Sequence, residues 1–137
     1  GMLMTPKKYL EQIQTLETKI NLKKDQILEE RTRAQSCTAV LSERVQTSAC
    51  GDSLPKIIDK ICMFEREMDI LIDKQIDLKR EIISKFDKMT NTDHIKILEM
   101  KYLKDMNLVQ IAAEMNYSYR QVKRKHGWAL EEFKQFM

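Results

Sequence analysis

Two long stretches of the chain repeat apolar side chains in alternating steps of four and three residues. The first stretch runs from Tyr9 to Ala34 and the second from Ile57 to Ile82. Such a repeat lays one apolar stripe along a helix and is typical of helices that pair as in a coiled coil. Only 3 Gly and 2 Pro occur among 137 residues, so little interrupts these helices. The sequence therefore predicts an all-α fold with long helices at about 6–34 and 54–89.

The second helix has more apolar surface than one partner would cover. The apolar residues beside its stripe are Ile58, Ile72, Ile76, Ile83 and Phe86. The simplest arrangement is a long antiparallel helical hairpin over 1–90 that packs on a further partner, either the C-terminal part of the chain or a second subunit. We therefore expect a homodimer formed through the hairpin. One polar residue in the stripe, Gln75, either fixes the register or lies at the edge of the seam, and the second interpretation is favoured.

The segment between the two repeats, 36–53, has no apolar period and is rich in Ser, Thr, Ala and Cys. It is predicted to be the loop of the hairpin. Whether it is an irregular loop, contains a short helical turn or is partly disordered stays open at this point.

Several function classes are disfavoured by the composition. No apolar run approaches the roughly 20 residues needed to cross a bilayer, and no signal-peptide pattern is present, so we predict a cytoplasmic protein without a membrane partner. Three cysteines without CxxC spacing predict free thiols. Acidic side chains alternate with lysines at helical surface spacing, and there is neither a phosphate-binding Gly loop nor a nucleophile with a base near it in sequence. We expect no enzymatic activity, no cofactor and no metal ion.

Two helix-capping signals lie only eleven residues apart in the last third of the chain. Asn107 is followed by Gln110, and Ser118 is followed by Gln121, each three residues later as in a capping box. This spacing leaves room for one short helix and a tight turn before the next helix begins. Asn116 suits the turn, because a short amide side chain tolerates left-handed backbone.

These signals predict a C-terminal three-helix module of the helix-turn-helix type over 91–137, with its first helix at about 93–104. The two later helices must pack closely, which the small side chain of Ala112 allows. The residues assigned to the turn and core of the motif are Asn107, Ile111, Ala112, Met115, Asn116 and Val122.

The helix that starts at Ser118 separates an apolar side from a basic side. At 100° per residue, Arg120 and Arg124 lie opposite Val122. The segment 117–128 holds four bases and no acid, whereas the whole chain has a net charge of only +3. Because arginine can pair with guanine and lysine can neutralise phosphates, we predict that this helix enters the major groove of double-stranded DNA. The residues assigned to DNA contact are Ser118, Tyr119, Arg120, Lys123, Arg124 and Gly127.

Four residues of this helix allow two interpretations. Tyr119 either contacts DNA or packs on the preceding helix. Gly127 either permits close approach of the backbone or only weakens the helix. His126 is favoured as a packed or capping histidine over a DNA contact, and Trp128 as a core or interface anchor over a stacking platform.

The C-terminal third resembles the fourth conserved region of bacterial sigma factors, which recognises the −35 promoter element. Residues 97–102 (ILEMKY), 107–123 (NLVQIAAEMNYSYRQVK) and 128–130 (WAL) follow the family pattern V-L-x-L-R-Y, S-x-x-E-I-A-x-x-L-G-x-S-x-x-T-V-K and R-A-L. The chain departs from it where Met106 and Asn116 replace glycines and Trp128 replaces an arginine.

Over its whole length the chain is similar to small phage-encoded regulators of the ArpU and RinA kind. The similarity is carried by Tyr9-Leu10, 38–42 (TAVLS), 56–59 (KIID) and Tyr117-Ser118 with His126. It implies a phage or prophage transcriptional regulator, an activator of late genes, with host RNA polymerase as a further partner. Two alternatives stay open: a small terminase subunit for DNA packaging, and a sigma-like adaptor that docks on RNA polymerase without reading DNA.

Overall fold

The computed structural model describes residues 4–42 and 54–137, and every regular element in these ranges is helical. The predicted all-α class is therefore confirmed for the described part of the chain. A π-helical segment, Glu99–Leu103, directly continues the third α-helix. The five α-helices are α1 (Pro6–Ser42), α2 (Leu54–Phe86), α3 (Thr92–Leu98), α4 (Leu108–Met115) and α5 (Tyr119–Lys134).

The first helix is longer than its apolar repeat. It continues to Ser42, so the prediction that a loop begins at residue 36 is wrong for 36–42, and the rest of that predicted loop, 43–53, lies outside the described residues. The physical reason is that no Gly or Pro follows Pro6 until Gly51. A helix can therefore continue after its buried stripe has ended. The second helix ends at Phe86, slightly before the predicted residue 89.

The chain divides into two compact units, and the first comprises Gly1–Leu16 with Gln75–Met137. Its main core joins α1, α2, α3, the π-helical segment and α5. The buried members of this core are Leu10, Ile13, Ile82, Phe86, Met89, Leu98, Tyr102, Ala129 and Phe133. This division differs from the boundary predicted at residues 90–91, because Ile82 and Phe86 share a core with Phe133 instead of belonging to a separate hairpin domain.

Gln75 lies inside this first unit and is 8% exposed. Its Nε2 donates to the backbone carbonyl of Ile13 over 3.3 Å. The interpretation that Gln75 lies at the edge of the seam is therefore wrong. A buried amide must find hydrogen-bond partners, and this one finds a partner on the neighbouring helix.

The second unit, Glu17–Lys74, consists in its described part of the remaining lengths of α1 and α2. Lys23 pairs with Glu67, and Arg31 pairs with Glu65 at 3.0 Å. The later residue on α1, Arg31, thus pairs with the earlier residue on α2, Glu65. Every member of the predicted apolar stripes in this unit is buried or half-buried, with Ile20, Ile27 and Ile57 buried most completely.

Two further sequence expectations have direct outcomes. Cys62 is a free thiol as predicted, whereas Cys37 is disulfide-bonded, so that prediction is wrong for Cys37; Cys50 lies outside the described residues. Within residues 4–42 and 54–137, no helix combines the length and the apolar character needed to span a membrane.

Candidate nucleic-acid interface

The start of α4 is fixed by a reciprocal pair of hydrogen bonds. The side-chain oxygen of Asn107 accepts from the backbone N–H of Gln110 at 2.8 Å, and the Gln110 side chain accepts from the backbone N–H of Asn107 at 2.9 Å. Two N–H groups that have no partner within the helix are satisfied in this way. The capping box predicted at Asn107 is confirmed.

The start of α5 repeats the same arrangement. The Ser118 hydroxyl accepts from the backbone N–H of Gln121 at 3.1 Å, and the Gln121 side chain accepts from the backbone N–H of Ser118 at 3.0 Å. The first turn of α5 contains no acidic residue. The partial positive charge of this helix end is therefore not offset by a carboxylate in its own first turn.

Between the two helices lies a turn whose shape depends on Asn116. This residue adopts left-handed backbone, with φ 59° and ψ 38°, as predicted. Its N–H and that of Tyr117 return to carbonyls at the end of α4, including that of Ala112, which Tyr117 reaches over 3.0 Å. The carbonyls that end α4 are thereby satisfied, as in other left-handed helix ends. A second left-handed residue, Asp105 with φ 55°, precedes α4.

A small core lies beneath this turn. Ile97 of α3, Ile111 and Ala112 of α4, and Val122 of α5 are all buried, and Met115 and Tyr117 pack against them. Of the residues assigned from the sequence to the turn and core, Ile111, Ala112 and Val122 are buried, Met115 packs against them and Asn116 forms the turn, whereas Asn107 is the exposed cap of α4. This core holds α3, α4 and the first turns of α5 together.

Lys125 belongs to this supporting structure and not to the exposed basic surface. Its Nζ lies 3.3 Å from Asp93 Oδ2, and the same oxygen accepts a 2.6 Å hydrogen bond from the Tyr117 hydroxyl. The Lys125 ammonium also lies over the Tyr117 ring, 4.9 Å from its centroid. The hydrogen bond from Tyr117, together with the bond and charge of Lys125, keeps the pKa of Asp93 below its usual value. The sequence could not show this contact, because 32 residues separate the partners.

The outward side of α5 carries the residues assigned to DNA contact. All six are exposed, whereas Val122, Ala129 and Phe133 of the same helix are buried. The three cations among the six, Arg120, Lys123 and Arg124, make no hydrogen bond or ion pair with any described residue. No acid occurs in 115–130. We call Arg120, Lys123, Arg124 and Gly127 the basic face.

Trp128 is exposed as well, although the sequence analysis favours a core or interface anchor at this position. Its side chain is 53% exposed, so the interpretation as a core anchor is wrong. At 100° per residue it lies well away from Val122, and its neighbour Ala129 takes the buried position. Tyr119 is also exposed, at 49%, which does not support packing on the preceding helix.

His126 lies on the inner half of α5 and is half-buried, as predicted for a packed histidine. Its Nε2 lies 2.8 Å from the Tyr102 hydroxyl, and the two rings stack with centroids 5.8 Å apart. Burial, with smaller contributions from Lys101 and Lys7, lowers the pKa of His126 to about 4. Burial also raises the pKa of Tyr102. The pair is therefore neutral at neutral pH and serves to position α5.

A further polar contact fixes the other end of α5. The Glu132 carboxylate accepts from the backbone N–H of Thr90 at 3.0 Å and lies 2.9 Å from His94 Nδ1. These contacts tie α3 and the segment before it to α5. Among the described residues, no three His, Cys, Asp or Glu side chains come together in a way that could hold a metal ion.

No protein-family model, curated protein or solved structure matches the chain.

Proposed function

We propose that the protein is a sequence-specific DNA-binding transcriptional regulator in which α4 and α5 form a helix-turn-helix and α5 enters the major groove. The observation that carries this proposal is the unpaired, exposed basic face on the side of α5 opposite buried Val122. Because the capped helix already fixes the backbone of these residues, the ordering cost of binding falls mainly on the side chains themselves.

The chemistry of the basic face suits a DNA groove. Arg120 and Arg124 are one helical turn apart, about 6 Å along the axis, and each can form two hydrogen bonds to one guanine. Lys123 lies at the flank of the same face, where an ammonium would neutralise a phosphate. The major groove is about 12 Å wide, which admits one α-helix with its side chains.

The resemblance to phage regulators of the ArpU and RinA kind specifies the role further. In this proposal the protein acts in the cytoplasm of a bacterial host as an activator of phage late genes, in contact with RNA polymerase. The second unit supplies dimerisation as a helical hairpin, which the order of the Lys23–Glu67 and Arg31–Glu65 pairs supports. An open groove of about 700 Å³ on this unit exposes Leu22 and Ile70.

The direct test is selection of bound DNA from a random pool, followed by affinity measurements on the selected site. Arg120→Ala and Arg124→Ala should each weaken binding to that site by about 1–3 kcal/mol, with much smaller effects on random DNA. Lys123→Ala should weaken binding to all sequences alike and lower the slope of log affinity against log salt by about one. Lys88→Ala, an exposed lysine outside α5, is the matched control. If the Arg120/Arg124 double variant binds the selected site as tightly as the parent, the assigned face is wrong.

Two measurements separate the alternatives. A mass in solution corresponding to a ring of eight or more subunits would favour a small terminase, whereas a monomer or a dimer favours regulation. Replacing exposed Leu22 and Ile70 by glutamate should convert that dimer to monomer, because buried carboxylates without partners are costly. Absence of salt-dependent, sequence-selective DNA binding would favour an adaptor that docks on RNA polymerase alone.

A further inference from the structure

Trp128 is a large apolar side chain in an unusual place. It is 53% exposed and follows directly after Gly127, where a Cβ atom would have nothing within 4 Å. Its indole N–H makes no hydrogen bond with any described residue. Burying an indole against a partner gains apolar contact and offers one hydrogen-bond donor, which is why tryptophan is frequent where molecules meet.

The position of Trp128 around α5 indicates which partner this is. Taking buried Val122 as the reference direction, Lys123 lies about 100° to one side and Trp128 about 120° to the other, with Arg120 and Arg124 between them. A helix with its side chains is about 10–12 Å across, and the major groove is about 12 Å wide. When the arginines point into the groove, the two flanks of α5 therefore face the two opposite strands.

Charge favours DNA over a protein partner at this site. Trp128 follows Arg124 by one helical turn, and the nearest acid after the basic face is Glu131. Arg124 attracts a phosphate-bearing strand to the turn of α5 before Trp128, whereas exposed Glu131 lies in the turn after it. An apolar protein partner would have to cover the unpaired charge of Arg124. The indole N–H is also a donor of the kind that reaches phosphate oxygens, as do other neutral side chains in DNA complexes.

We propose that Trp128 contacts the sugar–phosphate backbone of the DNA strand opposite the one that Lys123 neutralises. The indole ring packs against deoxyribose and its N–H donates to a phosphate oxygen. This inference rests on the proposed DNA-binding function. Trp128 is then a positioning residue that fixes how α5 lies in the groove, without selecting a sequence.

Trp128 is the only tryptophan in the chain, so intrinsic fluorescence reports on this position alone. Titration of the full-length parent with a selected duplex and with a random duplex should shift the indole emission, in parallel with binding followed by anisotropy of labelled DNA. Trp128→Ala should weaken binding to both duplexes about tenfold, because one charge-assisted hydrogen bond and the packing of the ring are lost. Because indole is neutral, the salt slope should stay that of the parent, unlike the slope of Lys123→Ala.

Two controls separate a contact from a structural effect. Trp128→Phe keeps an aromatic ring without the N–H and should fall between parent and Trp128→Ala. Met137→Ala removes an exposed apolar side chain that lies outside α5 and outside both apolar stripes, and it should leave DNA affinity unchanged. Thermal unfolding of each variant, followed by circular dichroism, should match the parent, because Trp128 lies outside both buried clusters.

The possible failures are distinguishable. If the parent binds DNA but its emission does not respond and Trp128→Ala binds as tightly, the inference is wrong and the proposed function stands. Emission that changes with protein concentration in the absence of DNA, together with unaltered DNA affinity of Trp128→Ala, would assign the residue to a protein interface and also overturn the inference. If the parent shows no salt-dependent binding to any duplex, the proposed function fails and this inference fails with it.

Discussion

Gly127→Ala is a single change that should raise the stability of the fold and weaken binding to DNA. Gly127 lies in the interior of α5, nine residues after its N-cap at Ser118. Glycine in a helix interior is about 1 kcal/mol less favourable than alanine, because it has more backbone freedom to lose on folding. No atom within 4 Å would meet the added Cβ. The variant should therefore be more stable than the parent by about 0.5–1 kcal/mol.

Denaturation measures the stability part of this prediction. The midpoint in urea should rise with an unchanged slope, and the melting temperature should rise by roughly 2–4 °C per kcal/mol. A variant that is equally or less stable would show that the space or the helical backbone at Gly127 is not as described.

DNA affinity should change in the unfavourable direction. Gly127 lies on the basic face, so a methyl group there would separate α5 from the groove and weaken binding by about 1 kcal/mol, or about fivefold. The loss should increase from Gly127→Ala to Gly127→Gln as the side chain lengthens, although both variants fold. If instead Gly127→Ala binds DNA as tightly as the parent or more tightly, the glycine only weakens the helix, and Gly127 has to be removed from the interface.

Other perturbations test the supporting structure. Asn116→Ala should destabilise the protein by about 1 kcal/mol because of its left-handed backbone, whereas Asn116→Gly should be tolerated, as measured by urea unfolding. Ser118→Ala should cost about 1 kcal/mol in the same assay by removing the cap of α5. Because the pKa of His126 is lowered to about 4 in the folded protein, only the unfolded state gains its proton as pH falls from about 6.5 towards 4. His126 should then account for a loss of order 1–2 kcal/mol across that window after allowance for solvent access, and the His126→Gln curve should be correspondingly flatter. A fragment of residues 91–137 should show no cooperative melt, and a cooperative one would instead support the predicted boundary at 90–91.

The parts of the fold that the sequence predicts well are those determined by neighbouring residues. Both capping boxes depend on side chains only three residues apart, and the left-handed turn depends on the chemistry of Asn116 itself. The apolar stripes of α1 and α2 are likewise periodic and local. Such features are visible in the sequence because the partners of each interaction lie within one or two helical turns.

The parts that the sequence predicts poorly depend on residues far apart. The apolar repeat predicts too early an end for α1, because a periodic stripe records which side of a helix is buried, and a helix can extend beyond its buried contacts. The partner of Lys125 is Asp93, and the partner of Gln75 is Ile13, both fixed only by packing. A count of the bases in 117–128 includes Lys125. Lys125 does not belong to the exposed basic surface, however, because its ammonium contacts Tyr117 and Asp93.

The direction of the basic face is itself a long-range property of the first unit. Val122 anchors the beginning of α5 in the core beneath the turn, whereas Ala129 and Phe133 anchor its later turns in the core that contains Leu10 and Phe86. A helix held in two separate cores cannot rotate about its axis without breaking one of them, and loss of a buried Phe costs about 3–5 kcal/mol. The sequence around Ser118 therefore determines that α5 is amphipathic, but residues at the start of α1 and the end of α2 determine how firmly its charged side is held outward. A substitution at Leu10, remote in sequence from every cation of the basic face, should loosen that face as well as the core.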